Sequence, residues 1–413
     1  MNRLLIQTII CFGCIICSSC NNSQSSKNTI EAIQSDLEDL AKAYAPDSRD
    51  HKFEFEIYTR TQNTDGQSFE INAYTTLPGT AASITDSIAA KDWSDAANYT
   101  VRQLPDSIKL DGKLYGIIKV SVASLRSKPG HSQELATQLL HGMPVWLLDR
   151  QEDWYLVRCP DNYLAWLNKG DFIAVSRGQL SQYLSNDLIV YRGESETVNA
   201  TFEESGRQGQ AVPLDLVPGA IFELANIGQS RSSIRSVDGR LASIESSSCM
   251  RISDWSTQDV SKALDNATYS LGKPYLWGGT STRAADCSGF TKMCFYMAGF
   301  IIPRDASQQV KVGIEIPLDD QLSALQANDL LFFGKRKSDG SQRITHVALY
   351  HDATDRSIFH AGADNGLITK QSLKPDEPDF AAHRLASLLA VRRYDRETAG
   401  LINVRDVLSI DFW

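Results

Sequence analysis

The sequence predicts a multidomain α+β protein: a small N-terminal α+β unit, two small β-barrels, and a larger α+β domain at the C-terminal end. Three observations carry this prediction. The chain has 413 residues, 42% hydrophobic and 22% charged, an ordinary globular composition that can fill two to four cores. Its middle is a succession of short apolar runs separated by polar turns, the pattern of small barrels. Its last part joins a run of apolar residues at helical spacing to several strand-like runs. The net charge of −9 is spread along the chain and argues against a nucleic-acid partner.

The first residues read "MNRLLIQTIICFGCIICSSCNNSQ". Arg3 gives a basic start, and the apolar run Leu4 to Ile16 is short for a membrane span but fits a secretory signal over residues 1–20. Small residues Ser18 and Ser19 before Cys20 resemble a bacterial lipoprotein signal. The resemblance implies lipidation at Cys20 and a lipid-anchored protein of the cell envelope, facing the periplasm or the cell surface. Cys17 stands where leucine is usual, so a plain signal peptide or an uncleaved anchor is the alternative. The polar run "NNSQSSKN" reads as a flexible tether. Residues 21–110 then hold the first unit. Ile30, Ile33, Leu37, Leu40 and Ala41 have helical spacing. "KFEFEIYTRT" and "SFEINAYTT" alternate around an Asp-Gly turn, a hairpin signal. A helix over Ala81–Ala90 and a strand over Tyr99–Gln103 complete it, with no chemistry evident.

Residues 111–178 form the first barrel. The order "VASLRSKP…ELATQLLHG…VWLLD…WYLVR…YLAWL" resembles a bacterial SH3-like domain. Residues 179–253 suit a second such barrel, mainly by position. Setting aside the four cysteines before residue 21, Cys159, Cys249, Cys287 and Cys294 are too scattered for a disulfide framework or a zinc site. Cys159 and Cys249 read as separate buried thiols, with pairing as the alternative. No metal or cofactor is implied.

The last unit, 254–413, carries "AADCSGFTKMCFYMAGF". Phe290, Met293, Cys294, Met297 and Ala298 share one helical face, and Cys287 joins it at the helix start. Asp286 is the expected N-cap and Gly299 the stop. A thiolate at a helix N-terminus meets free N–H groups and the positive end of the dipole, which are expected to lower its pKa. Such a nucleophile needs a base and an orienting group. His346 in "RITHVALYHD" and His360 in "RSIFHAG" lie on strand-like runs. Two adjacent antiparallel strands would bring both imidazoles over the helix start, a papain-like arrangement. His351, by alternation, falls on the opposite face.

"PYLWGGTSTRAADCSGF", "IPRDASQQ", "LQANDLLFF", "THVALY" and "FHAG" occur in this order and resemble the NlpC/p60 family of bacterial cell-wall cysteine peptidases. The resemblance implies that Cys287 is the nucleophile, His346 the general base and His360 the residue that orients it, with the Tyr275 hydroxyl near the oxyanion. Asn328 stands where glycine is common, and asparagine tolerates a left-handed backbone.

One branch of that family joins SH3-like domains to the catalytic domain and acts on released murein peptides with a free N-terminal L-alanine. Similarity to it implies that Asp305 binds the substrate ammonium, with Glu134 and Tyr163 of the first barrel lent to the same pocket. It also implies that Asp286 and Ser288 contact the D-glutamyl part, although Asp286 also reads as a cap alone. The expected enzyme is a monomeric γ-D-glutamyl-diamino acid endopeptidase acting on murein stem peptides. The alternatives are a hydrolase of the intact crosslinked wall with the barrels as wall-binding modules, an amidase, or a catalytically silent binder.

Overall fold

The computed structural model describes residues 20–61, 67–202, 211–319 and 321–413. The described residues fall into two compact units, divided between Gln103 and Leu104. The signal segment before Cys20, and the Asp-Gly turn at 65–66, lie outside the described residues.

In the first unit, helix Cys20–Tyr44 packs on a sheet of Phe53–Thr61, Gln67–Thr75 and Ala97–Gln103. The first two strands are antiparallel and the third joins in parallel after helix Ala81–Ala89. Ile33, Leu37, Phe53, Phe69, Ile71, Ile84 and Ile88 fill its core. The tether reading of "NNSQSSKN" is corrected, because these residues are helical. Their side chains carry no helical apolar pattern, so periodicity alone could not extend the helix across them.

The second unit opens with two seven-stranded antiparallel sheets. The first runs, in order, Phe172–Val175, Tyr115–Ile118, Pro144–Gln151, Trp154–Arg158, Leu164–Asn168, Val122–Arg126 and Leu135–Leu140. The second runs Val212–Leu216, Glu196–Phe202, Arg240–Glu245, Arg231–Arg235, Ile221–Asn226, Leu188–Tyr191 and Cys249–Arg251. Cys159 is buried, Cys249 is half-buried, and both are free thiols. His141 is buried between the two sheets. Its Nδ1 lies 2.8 Å from the Ile221 carbonyl and its Nε2 accepts from Val237 N, while its ring stacks on Phe222.

The C-terminal part has a six-stranded antiparallel sheet: Ile314–Glu315, Leu388–Arg393, Leu330–Arg336, Gln342–Asp352, Ser357–Gly362 and Leu367–Ser372. Helix Cys287–Met297 packs against the two strands that carry His346 and His360. An amphipathic helix was expected, yet all eleven of its residues are buried. The face opposite the sheet is covered by the barrels: Met293, Tyr296 and Met297 belong to the same apolar core as both seven-stranded sheets. Lys292 on this helix pairs with Asp161 of the first barrel, and both side chains are buried. The Tyr296 hydroxyl donates to the Gly219 carbonyl at 2.8 Å, and Arg192 donates to the Met297 carbonyl. The two seven-stranded sheets and the helix Cys287–Met297 therefore form one packed body. Gly299 follows the helix with φ 91°, the left-handed stop expected of it.

Candidate active site

The Asp286 carboxylate caps the cysteine helix by accepting from Gly289 N at 2.7 Å. Its other oxygen accepts from Gly278 N at 2.9 Å. Arg304 clamps both oxygens, at 3.0 and 2.6 Å, and also donates to the Ser288 hydroxyl at 2.9 Å. Asp286 is thereby bonded within the protein frame on both oxygens, as the cap reading expects. Arg304 was not singled out from the sequence. Its signal was present in "PRDAS", where a lone arginine beside an acid follows the cysteine by one helix and one strand. Glycines keep this frame tight: a methyl group on Gly289 would meet the Gly279 carbonyl at 2.0 Å.

Cys287 lies 9% exposed at the helix start. Burial pushes its thiol up to about 11, and the Asp286 charge adds to the rise. Backbone hydrogen bonds from Val347 and Ser288 and the Arg304 charge oppose this without winning. The expectation of a lowered pKa is corrected: the dipole and N–H groups are there, but desolvation and the neighbouring carboxylate outweigh them. The Val347 bond puts the sulfur against the strand residue that follows His346.

His346 and His360 meet as expected, with Nε2 of the first 3.2 Å from Nδ1 of the second. His360 Nε2 in turn lies 2.7 Å from Gln371 Oε1. Gln371 is on strand Leu367–Ser372, on the face shared with Thr369, which pairs with His360. The sequence reading missed it, although continuing the hairpin register past "ADNG" leads there. These contacts assign the tautomers. The Gln371 oxygen only accepts, so His360 Nε2–H donates, and a neutral His360 presents Nδ1 as acceptor. His346 Nε2–H then donates to it, leaving the Nδ1 lone pair of His346 as the base. Burial lowers both imidazoles, His360 to about 4 and His346 well below its usual value, and the Arg384 charge adds to each shift. At neutral pH the Cys287 thiol and both imidazoles are thus uncharged. His351 lies apart, bonded to Ser357 Oγ at 2.8 Å.

Tyr275 is half-buried and lies in the field of Cys287 and Asp286. Burial first, then those two charges, raises its phenol to about 12, so it remains a proton donor at neutral pH. Asn328 adopts φ 77° and donates from its side chain to the Val260 carbonyl at 2.9 Å.

The first barrel supplies part of the wall. Gln138 Oε1 accepts from Thr280 N at 3.0 Å. The Leu135 carbonyl lies so close to Gly278 (φ 77°) that a methyl group there would stand 2.1 Å from it. The Tyr163 hydroxyl reaches Asp305 Oδ2 at 3.5 Å, and the Asp305 side chain is 28% exposed. Glu134 accepts from the indole N–H of Trp277 at 2.7 Å. Glu134 is exposed. No metal-binding cluster of His, Cys, Asp or Glu occurs among the described residues.

Comparison with known proteins gives the following. Residues 272–378 match the NlpC/P60 family, and residues 125–172 match the bacterial dipeptidyl-peptidase Sh3 domain. A γ-D-glutamyl-L-lysine dipeptidyl-peptidase of Bacillus subtilis is 46% identical over 87 residues, spanning 21% of this chain but only 27% of that protein. A dipeptidyl-peptidase 6 of Lysinibacillus sphaericus is 24% identical over 67% of this chain and 97% of its own length. The fold is similar to the crystal structure of an NlpC/P60 family protein from Bacillus cereus, with a TM-score of 0.55 and 22% identity over 68% of this chain and 99% of that one.

Proposed function

We propose that this chain, which carries an NlpC/P60 domain behind a bacterial dipeptidyl-peptidase SH3 domain, is a cysteine endopeptidase of peptidoglycan peptides. In this reading it hydrolyses the γ-D-glutamyl-diamino acid bond and favours released peptides with a free N-terminal L-alanine. The observation that carries the specificity is the contact of barrel residue Tyr163 with Asp305, on a barrel that shares its core with the catalytic helix. A fixed barrel beside the nucleophile suits a closed pocket better than a tethered wall-binding module.

His346 Nδ1 takes the thiol proton as the sulfur attacks the γ-carbonyl carbon. The Tyr275 hydroxyl and backbone N–H groups at the helix start donate to the oxyanion. The imidazolium then protonates the departing amine, and water, deprotonated by His346, releases the acyl group. Ser288, its hydroxyl oriented by Arg304, contacts the D-glutamyl carboxylate, while Asp305, aided by Tyr163 and Glu134, binds the alanine ammonium.

N-acetylation of L-Ala-γ-D-Glu-diaminopimelate should lower kcat/KM by about tenfold, equivalent to about 1.4 kcal/mol, and Asp305→Asn should shrink that discrimination. Equal cleavage of free and acetylated peptides would overturn the free-peptide preference and favour the intact wall as substrate. The pH profile of kcat/KM follows from the imidazoles. As pH falls, His346 gains a proton and can no longer accept one from the thiol. Because burial holds that step below the ordinary value of 6.5, activity should persist at pH 6 and fall only in more acid solution. An acid limb at or above pH 6.5 would contradict a buried neutral base. Lipidation at Cys20 belongs to the same proposal, and intact-mass analysis of membrane-extracted protein tests it. An unmodified N-terminus at another position would remove the anchor.

A further inference from the structure

Arg384 is a cation beside the catalytic residues that the mechanism above leaves unused. It stands on the short helix Ala382–Ser387, and its side chain is 14% exposed. Its Nη2 lies 3.4 Å from Asp364 Oδ1, and its Nε has no hydrogen-bond partner among the described residues. Asp364 sits in the turn after the His360 strand. A methyl group on Gly362 would meet Asp364 Oδ1 at 2.3 Å and His360 Cε1 at 3.2 Å, so acid and imidazole flank one backbone point. His383 Nε2 approaches the same carboxylate at 3.6 Å. The Arg384 charge acts on Cys287, His346 and His360 alike. A guanidinium thus stands on the Asp364 turn that follows the His360 strand, held by one acid at 3.4 Å and with a buried Nε–H that has no partner among the described residues.

The chemistry of the leaving group says what such a cation could take. The imidazolium gives its proton to the departing amine, so the leaving residue lies on the imidazole side. In a γ-D-glutamyl-diamino acid bond, that amine is the α-amine, and the carbon bearing it also bears the carboxyl group. Where the diamino acid ends the peptide, this group is a carboxylate. Where another residue follows, it is a neutral amide. The planar fork of arginine is matched to a carboxylate. We propose that Arg384 binds the α-carboxylate of the released diamino acid, making the site selective for peptides that end at that residue. The proposal rests on the γ-D-glutamyl endopeptidase reading, and it concerns the side of the scissile bond opposite to Asp305.

The test compares L-Ala-γ-D-Glu-L-Lys with its C-terminal amide. Wild-type kcat/KM should favour the carboxylate by at least about tenfold, the scale of one charge-assisted pair. Arg384→Gln should bring the two peptides to equal rates, chiefly by slowing the carboxylate form, and Arg384→Lys should keep part of the preference. An unchanged ratio in Arg384→Gln overturns the proposal. Binding of both peptides to Cys287→Ala, with and without Arg384→Gln, is measured by calorimetry and needs no catalysis. Tighter binding of the carboxylate form that disappears with Arg384→Gln supports the site, and equal binding of both forms to Cys287→Ala overturns it. Absence of hydrolysis by the wild type would defeat the endopeptidase reading, and the binding result would still decide for or against the carboxylate site.

Discussion

Cys287→Ala should lose hydrolysis of L-Ala-γ-D-Glu-diaminopimelate by a factor on the order of 10⁴ or more, as single losses from such catalytic sets do. The fold should survive, because alanine suits a buried helix start and the Asp286 cap bonds to backbone rather than to the sulfur. Thermal unfolding should therefore change little while product formation, followed by mass spectrometry, disappears. Near-wild-type turnover in the purified variant would eliminate the thiol mechanism. His346→Ala should lose nearly as much, since the thiol is held protonated by its burial and cannot supply a thiolate without a base. Gln371→Leu should act more mildly. It leaves His346 in place but frees the His360 tautomer, so its effect should fall on kcat more than on KM.

The second large effect concerns stability. Arg304 is 1% exposed and pairs with Asp286, itself nearly buried. Arg304→Met should lower the free energy of unfolding by about 3–5 kcal/mol, because it strands a buried carboxylate without its partner. Urea unfolding measures this. Adding Asp286→Asn should recover part of the loss, since the stranded charge goes with it while the amide oxygen still caps the helix. If Arg304→Met alone costs less than about 1 kcal/mol, water reaches Asp286 and the frame is looser than its geometry implies. The same variant should raise KM, because Ser288 loses the arginine that orients its hydroxyl.

The arrangement of the candidate site was legible in the sequence because its signals are local. The cap, the helix spacing and the two strand runs each fit within about a dozen residues, and alternation alone separated His346 from His351. Gln371, Arg304 and Arg384 were not legible in that way. Gln371 is found only through strand register across a turn, and Arg384 only through the packing of a short helix with no periodicity to mark it. The state of the thiol was misread because a helix terminus is visible in a sequence while the depth of burial is not. The helical stretch before Asn28 was misread as a tether for a related reason: polar residues hide helical periodicity. The barrels were legible as strands, but nothing in their alternation announced that they share a core with the helix Cys287–Met297.

That shared core bears on how such a protein can diversify. A domain joined by a linker can be exchanged whole, with its ligand preference travelling alongside it. Here an incoming barrel would have to match the buried Asp161 with Lys292, the Gly219 carbonyl with Tyr296, and the apolar faces of Met293 and Met297, or leave the helix Cys287–Met297 with unpaired charge and voids. Recombination of modules is thereby closed off as a source of new substrates, and specificity is left to change one side chain at a time along the seam.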